Sequence, residues 1–184
     1  MTDRITRRAL APLGLGALAL AGCADAADPL EGDLPSMGNF QLDQAIVVAD
    51  KIKQVPPSRR AEPEAWDALM TAELTRRFGQ YRGGRRYHVA LALDGYSLAP
   101  PGIPIVLAPK SLLVASANLW DAAETRKLLG PEQLTVFEGA ESLILGTGLI
   151  KSAEEQMQTL TRNMAARVQR WLLDDAREVL SATG

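Results

Sequence analysis

The chain holds one cysteine and one histidine in 184 residues. A single thiol cannot close an intrachain disulfide, and so few sulfur and imidazole groups exclude the clustered ligands of a structural zinc site. No Gly-x-Ser-x-Gly segment is present, so the strained turn that exposes a nucleophilic serine is missing. The spacing of a phosphate loop, four residues between the first glycine and a Gly-Lys pair, is missing too. There is no basic excess: the formal charge is -2, which argues against a general nucleic-acid binder. The apolar run from Ala9 to Ala21 is thirteen residues long, short of the roughly 20 needed to span a bilayer. These absences leave no cofactor, metal or catalytic constellation to assign.

What is present begins at the N-terminus. Arg4, Arg7 and Arg8 precede the apolar run, and small residues follow it, which are the three parts of an export signal. The signal does not end in an ordinary Ala-x-Ala cleavage site; Leu20, Ala21 and Gly22 lead directly into Cys23. This ending resembles the lipobox of bacterial lipoproteins. The resemblance implies cleavage before Cys23, diacylglycerol on its sulfur and a fatty acyl group on the freed amine. Each buried methylene adds about 0.8 kcal/mol and one chain holds only marginally, so two or three chains make a lasting anchor in the lipid bilayer. In Gram-negative lipoproteins an Asp after the cysteine retains the protein at the inner membrane; Ala24 points instead to the outer membrane, with the body in the periplasm. A secretory peptide with a cysteine nearby is the alternative reading.

Three regions follow: residues 1–22 as signal, 23–38 as acylated cysteine and flexible tether, and 39–184 as a single periplasmic domain. Removing the signal takes away three Arg and one Asp, leaving 17 basic against 21 acidic residues and a formal charge of about -4. The tether, rich in acidic residues, proline and glycine, reaches tens of ångströms at about 3.3 Å per extended residue.

Within the domain, Ala45 to Ala49 is an apolar run of strand length. Pro63 stands at a first helical turn, and Trp66, Leu69, Met70, Leu74, Phe78 and Tyr81 recur at helical spacing before Gly83-Gly84. Tyr87 to Gly95 alternates, with Tyr87, Val89, Leu91 and Leu93 on one face. Leu112 to Trp120 and Gln133 to Glu138 are two further strands, expected to be separated by a turn near Gly130-Pro131. Ser152 with Glu155 forms a capping box ahead of Met157, Leu160, Met164, Val168, Trp171, Leu172 and Val179. The order β-α-β-β-β-α predicts an α+β fold, a two-layer sandwich whose small mixed sheet carries the helices on one face. The final helix, with an apolar stripe about 30 residues long, is expected to run past the body from Asp174 and to offer a homo-oligomer contact. Element order and lipobox together resemble the small α/β lipoproteins of bacterial envelopes, such as auxiliary lipoproteins of ABC-type transporters and outer-membrane assembly lipoproteins.

Four features bear on binding or chemistry. Arg76, Arg77, Arg82, Arg85 and Arg86 form the densest basic cluster, suited to anionic envelope components such as lipid headgroups or cell-wall polymers; the alternative is favourable charge at a helix C-terminus. Leu98 to Pro109 is apolar and carries four prolines, which rules out a central strand; its Ile103, Ile105 and Val106 are candidates for a partner contact. Gly146 and Gly148, with Lys151 and Ser152 at a helix start, have the ingredients of an anion nest or of a plain strand-to-helix turn. His88, with Asp94 nearby, and Glu138, with Glu141, are the only acid/base candidates. The leading expectation is a non-catalytic, membrane-anchored lipoprotein that binds an envelope protein partner in transport or assembly, through a sheet face or edge, the Pro-rich apolar loop, or both. A module for anionic envelope components and a hydrolase with an unfamiliar site are the alternatives.

Overall fold

The computed structural model describes residues 34–100, 111–138 and 151–181. Strand β1 (Phe40–Val48) is followed by the short β2 (Lys53–Gln54), helix α1 (Pro63–Phe78), and strands β3 (Arg85–Ser97), β4 (Leu112–Asp121) and β5 (Arg126–Phe137). Helix α2 (Ala153–Asp175) and a short α3 (Arg177–Ser181) complete the described chain. The five strands make one open mixed sheet in the order β1-β3-β4-β5, with β2 also pairing to β3. β1 and β2 run parallel to β3, whereas β3, β4 and β5 form an antiparallel meander. This is the expected α+β two-layer sandwich.

The alternation in β3 decides the layers. Tyr87, Val89, Leu91 and Leu93 are buried, and Leu113, Ala115, Ala117 and Leu119 of β4 continue the same buried face. Trp66, Met70, Leu74 and Phe78 of α1 pack onto it beside Leu160, Met164, Val168 and Leu172 of α2. Phe40, at the start of β1, stacks on Tyr87 at 5.3 Å and meets Tyr81 edge-on at 5.8 Å. Offset aromatic pairs of this kind add about 0.5–1.5 kcal/mol beyond the area they bury. The capping box at Ser152 forms as expected: its hydroxyl accepts from the Glu155 N–H, and the Glu155 carboxylate accepts from the Ser152 N–H.

Four expectations are corrected. Gly130-Pro131 is not a turn between strands: it lies inside β5, where a register shift opposite Ala117–Leu119 absorbs Gly130 at φ 94°. An edge strand tolerates proline because one side of it needs no ladder donor. The turn lies at residues 122–125, where Asp121 Oδ1 accepts from the N–H groups of Ala123 and Glu124 at 2.8 Å each. Helix α1 ends at Phe78 rather than at Gly83-Gly84. Gly83 instead lies where the chain crosses the start of β1; a Cβ there would come within 2.2 Å of the Asn39 backbone. The first strand begins at Phe40, five residues before the apolar run. Finally, the stretch after Asp174 does not project past the body, because the chain bends at Ala176, and Ala176 and Leu180 are buried in the core.

Candidate functional site

Both helices occupy one side of the sheet, so the other side has no described layer over it. Paired residues of adjacent strands share a face, and the register therefore lays out this outer surface. One row runs from Val48 through Ala92 and Ser116 to Gln133; the next joins Ile46, Ala90 and Asn118. The floor at the centre is made of small side chains. Larger apolar groups stand at its margins: Ile46, Val48 and Phe137 are 39%, 47% and 51% exposed. The same face also carries the Asp94–Ser116 pair and the Asp43, His88 and Arg86 group, so these apolar side chains stand beside polar and charged ones.

His88 and Trp120 are paired on the same face. The imidazole Nδ1 lies 3.4 Å from Asp43 Oδ2, and Asp43 Oδ1 accepts from Arg86 at 3.2 Å. Asp94 is engaged elsewhere, accepting from the Ser116 hydroxyl at 2.8 Å. The structure therefore does not assemble Ser116, Asp94 and His88 into a relay. Asp43 is the residue that sequence reading missed; it sits at a register shift in β1 that a local pattern cannot show. Among the described residues, no group of three His, Cys, Asp or Glu side chains is placed to hold a metal ion.

The five arginines go to different partners. Arg76 pairs with Glu73 one turn back on α1. Arg77 is fully buried between α1 and α2, where its Nη1 donates to Gln169 Oε1 at 3.1 Å; the Gln169 amide in turn donates to the Tyr81 hydroxyl at 2.5 Å. Burial, partly opposed by that hydrogen bond and by Arg77, raises the Tyr81 pKa above its ordinary value. Arg82 donates to the carbonyls of Gly79 and Tyr81, which closes the end of α1. Arg85 donates through Nε to Asp121 Oδ2 at 2.7 Å, with Nη2 on the same oxygen. The Glu124 N–H, then Arg85 and the Ala123 N–H, hold the Asp121 carboxyl below its usual range, although burial opposes them. Arg86 is exposed and pairs with Asp43.

One end of the sandwich gathers the chain ends that flank two undescribed segments. The Ala99 N–H donates to the Ser111 hydroxyl at 3.1 Å, and the Glu138 N–H donates to the Ser111 carbonyl at 2.9 Å. Lys151 pairs with the buried Glu138 at 2.8 Å, and the Gln156 amide donates to the Ala99 carbonyl at 3.3 Å. Ile103, Ile105, Val106, Glu141, Gly146 and Gly148 lie outside the described residues, as do Leu20, Ala21, Gly22 and Cys23. At the opposite chain corner, Met37, Leu172, Leu180 and Arg177 line a shallow pocket of about 270 Å³. No described helix is long and apolar enough to cross a membrane.

No protein-family model and no curated protein sequence matches this chain. Among solved structures, the chain is similar to a DUF330 protein from Xanthomonas campestris, at 11% identity and a TM-score of 0.45, covering 79% of this chain and 91% of that one. It is also similar to PelC from Paraburkholderia phytofirmans, a dodecamer, at 9% identity and a TM-score of 0.38 over 73% and 92% of the two chains. A minor lipoprotein from Acinetobacter baumannii is similar at 11% identity and a TM-score of 0.33 over 73% and 91%.

Proposed function

We propose that this protein is a non-catalytic, membrane-anchored envelope lipoprotein that binds a partner protein through the outer face of its sheet. The observation that carries the reading is the sheet face over which no described element lies, with Ile46, Val48 and Phe137 exposed around a floor of Ala90, Ala92 and Ser116. A surface of this kind gains by burial at about 25 cal/mol per Å² of apolar area. Acylated Cys23 anchors the body to the outer membrane, and a tether that starts at residue 23 and ends before the buried Met37, two residues short of the expected boundary, holds it clear of the lipid. Ile103, Ile105 and Val106, in the segment between Ala99 and Ser111, are included in this reading as further partner-binding residues. Homo-oligomerisation is compatible with this reading.

The test is a crosslinking pull-down of the acylated protein from its native envelope, beside Cys23→Ala, Val48→Glu and a deletion of residues 100–108. One stoichiometric protein partner is expected, lost in Val48→Glu and in the loop deletion while the variants stay folded by circular dichroism. Recovery of only lipid or cell-wall material would overturn the reading in favour of an anion-binding module. Charge reversal at Arg82 separates the two, because this exposed side chain sits in the loop after α1, whereas Arg86 shares the outer sheet face with His88 through Asp43.

A further inference from the structure

Among the described residues, the outer edge of β5 pairs with no further strand. The Glu138 N–H donates to the Ser111 carbonyl, and the register places these two residues directly opposite one another. In an antiparallel ladder, hydrogen-bonded pairs alternate with pairs whose N–H and C=O groups point away from the partner strand. Val136 and Leu134 therefore bond inward to β4. Gln133, Thr135 and Phe137 turn their backbone groups outward. The Asn163 side chain of α2 confirms the direction, because its amide reaches around the edge to donate to the Phe137 carbonyl at 2.9 Å. The remaining outward groups, from the Gln133 N–H to the Phe137 N–H, have no partner among the described residues.

Edge strands are normally blunted by charge, proline or a bulge. β5 is protected in this way over one half only: Arg126, Lys127 and the Gly130-Pro131 irregularity occupy its beginning, whereas Gln133-Leu134-Thr135-Val136-Phe137 carries no charge, proline or glycine. We infer that this half of β5 binds its partner by strand addition, taking an extended polypeptide segment in antiparallel pairing. The backbone supplies the bonds and the alternate side chains supply the selection. Side chains opposite Thr135 and Phe137 continue the exposed outer face. Those opposite Leu134 and Val136 meet the flank of α2, and a cation fits opposite the exposed Glu132. The inference rests on the partner-binding reading and names the kind of segment that binds.

A synthetic peptide Lys-Gln-Leu-Thr-Val-Phe-Lys supplies the probe, since it repeats this alternation and places a lysine opposite Glu132. Amide hydrogen exchange of the folded protein should show Gln133, Thr135 and Phe137 slowed at least about tenfold by the peptide, with Leu134 and Val136 slow throughout. Thr135→Pro removes an outward donor without touching the β4 ladder, so it should weaken peptide binding at least about tenfold; Thr135→Val, which keeps the N–H, should change it less than about threefold. If Thr135→Pro loses the slow exchange of Leu134, Gln133→Pro makes the same test one pair away. Peptide at about 1 mM that protects none of the three amides, or that binds the proline variants as tightly as the native chain, overturns strand addition. Loss of the envelope partner in Val48→Glu together with a failed peptide test leaves the partner-binding reading standing without this mode.

Discussion

Arg77 illustrates how far a residue's surroundings can depart from its sequence neighbourhood. Beside Arg76 in the chain, it looks like part of a basic surface, yet at position 77 the helix turns it into the seam with α2, where Gln169 receives it. Replacing it by Ala removes packing along the aliphatic stem and leaves the Gln169 Oε1 without its Arg77 donor. Arg77→Ala should lower stability by about 2–4 kcal/mol, read from urea unfolding, while Arg82→Ala stays within about 0.5 kcal/mol. Asp121 gives a second expectation, this one dependent on pH. Its carboxyl is held below the usual range in the folded state, so the unfolded chain takes up the proton first as pH falls. The stabilisation is complete above about pH 4 and disappears as pH drops through the depressed folded value. Native protein should therefore exceed Asp121→Asn in urea midpoint at pH 6, with the gap closing in the acid range; a gap independent of pH would remove the charge from the explanation. Neither Gln169 nor Arg85 can be matched to its partner from the sequence, because the pairings span 92 and 36 residues.

Whole elements were easier to read than their ends. Strand β3 announces itself because one face is buried against two helices and the other is not, which is the condition under which alternation is clean. The capping box of α2 is legible because both of its hydrogen bonds are local. The start of β5 misleads for the opposite reason: Gly-Pro is a strong turn signal, and only the neighbouring strand reveals that the ladder resumes after it. The residue that does mark the turn is Asp121, whose short side chain bonds to the backbone two and three residues on, a local device that the sequence displays. Gly130 then follows as a requirement of the bulge, since φ is positive and a Cβ would stand 2.3 Å from the Ala117 carbonyl oxygen. Gly130→Ala should cost more than about 1 kcal/mol and lower the thermal midpoint, whereas Gly84→Ala, which meets only the Asn39 side chain at 3.0 Å, should cost less.

At the scale of the molecule, the layer arrangement follows from the sequence, and the surface that matters follows from what the layers leave uncovered. The anchor and the apolar loop read from the sequence lie outside the described residues. A sheet face can be named from the sequence, but not its residues, because Ala90, Ala92 and Ser116 have no signature until strand order places them beside Ile46 and Val48. Another consequence lies at the corner where Met37 and Leu180 are buried together, with Gly38 close against the Leu180 carbonyl. Met37 is the first buried residue of the described chain, and Leu180 belongs to its last described turn. On the proposed anchoring at Cys23, a pull on the anchor enters the fold at a seam that Leu180 helps to hold shut. The short helix α3 then acts as a mechanical clasp on the first described residues, and past that clasp the load passes into β1 and directly on to β3, through the Asn39 carbonyl that accepts from the Arg85 N–H.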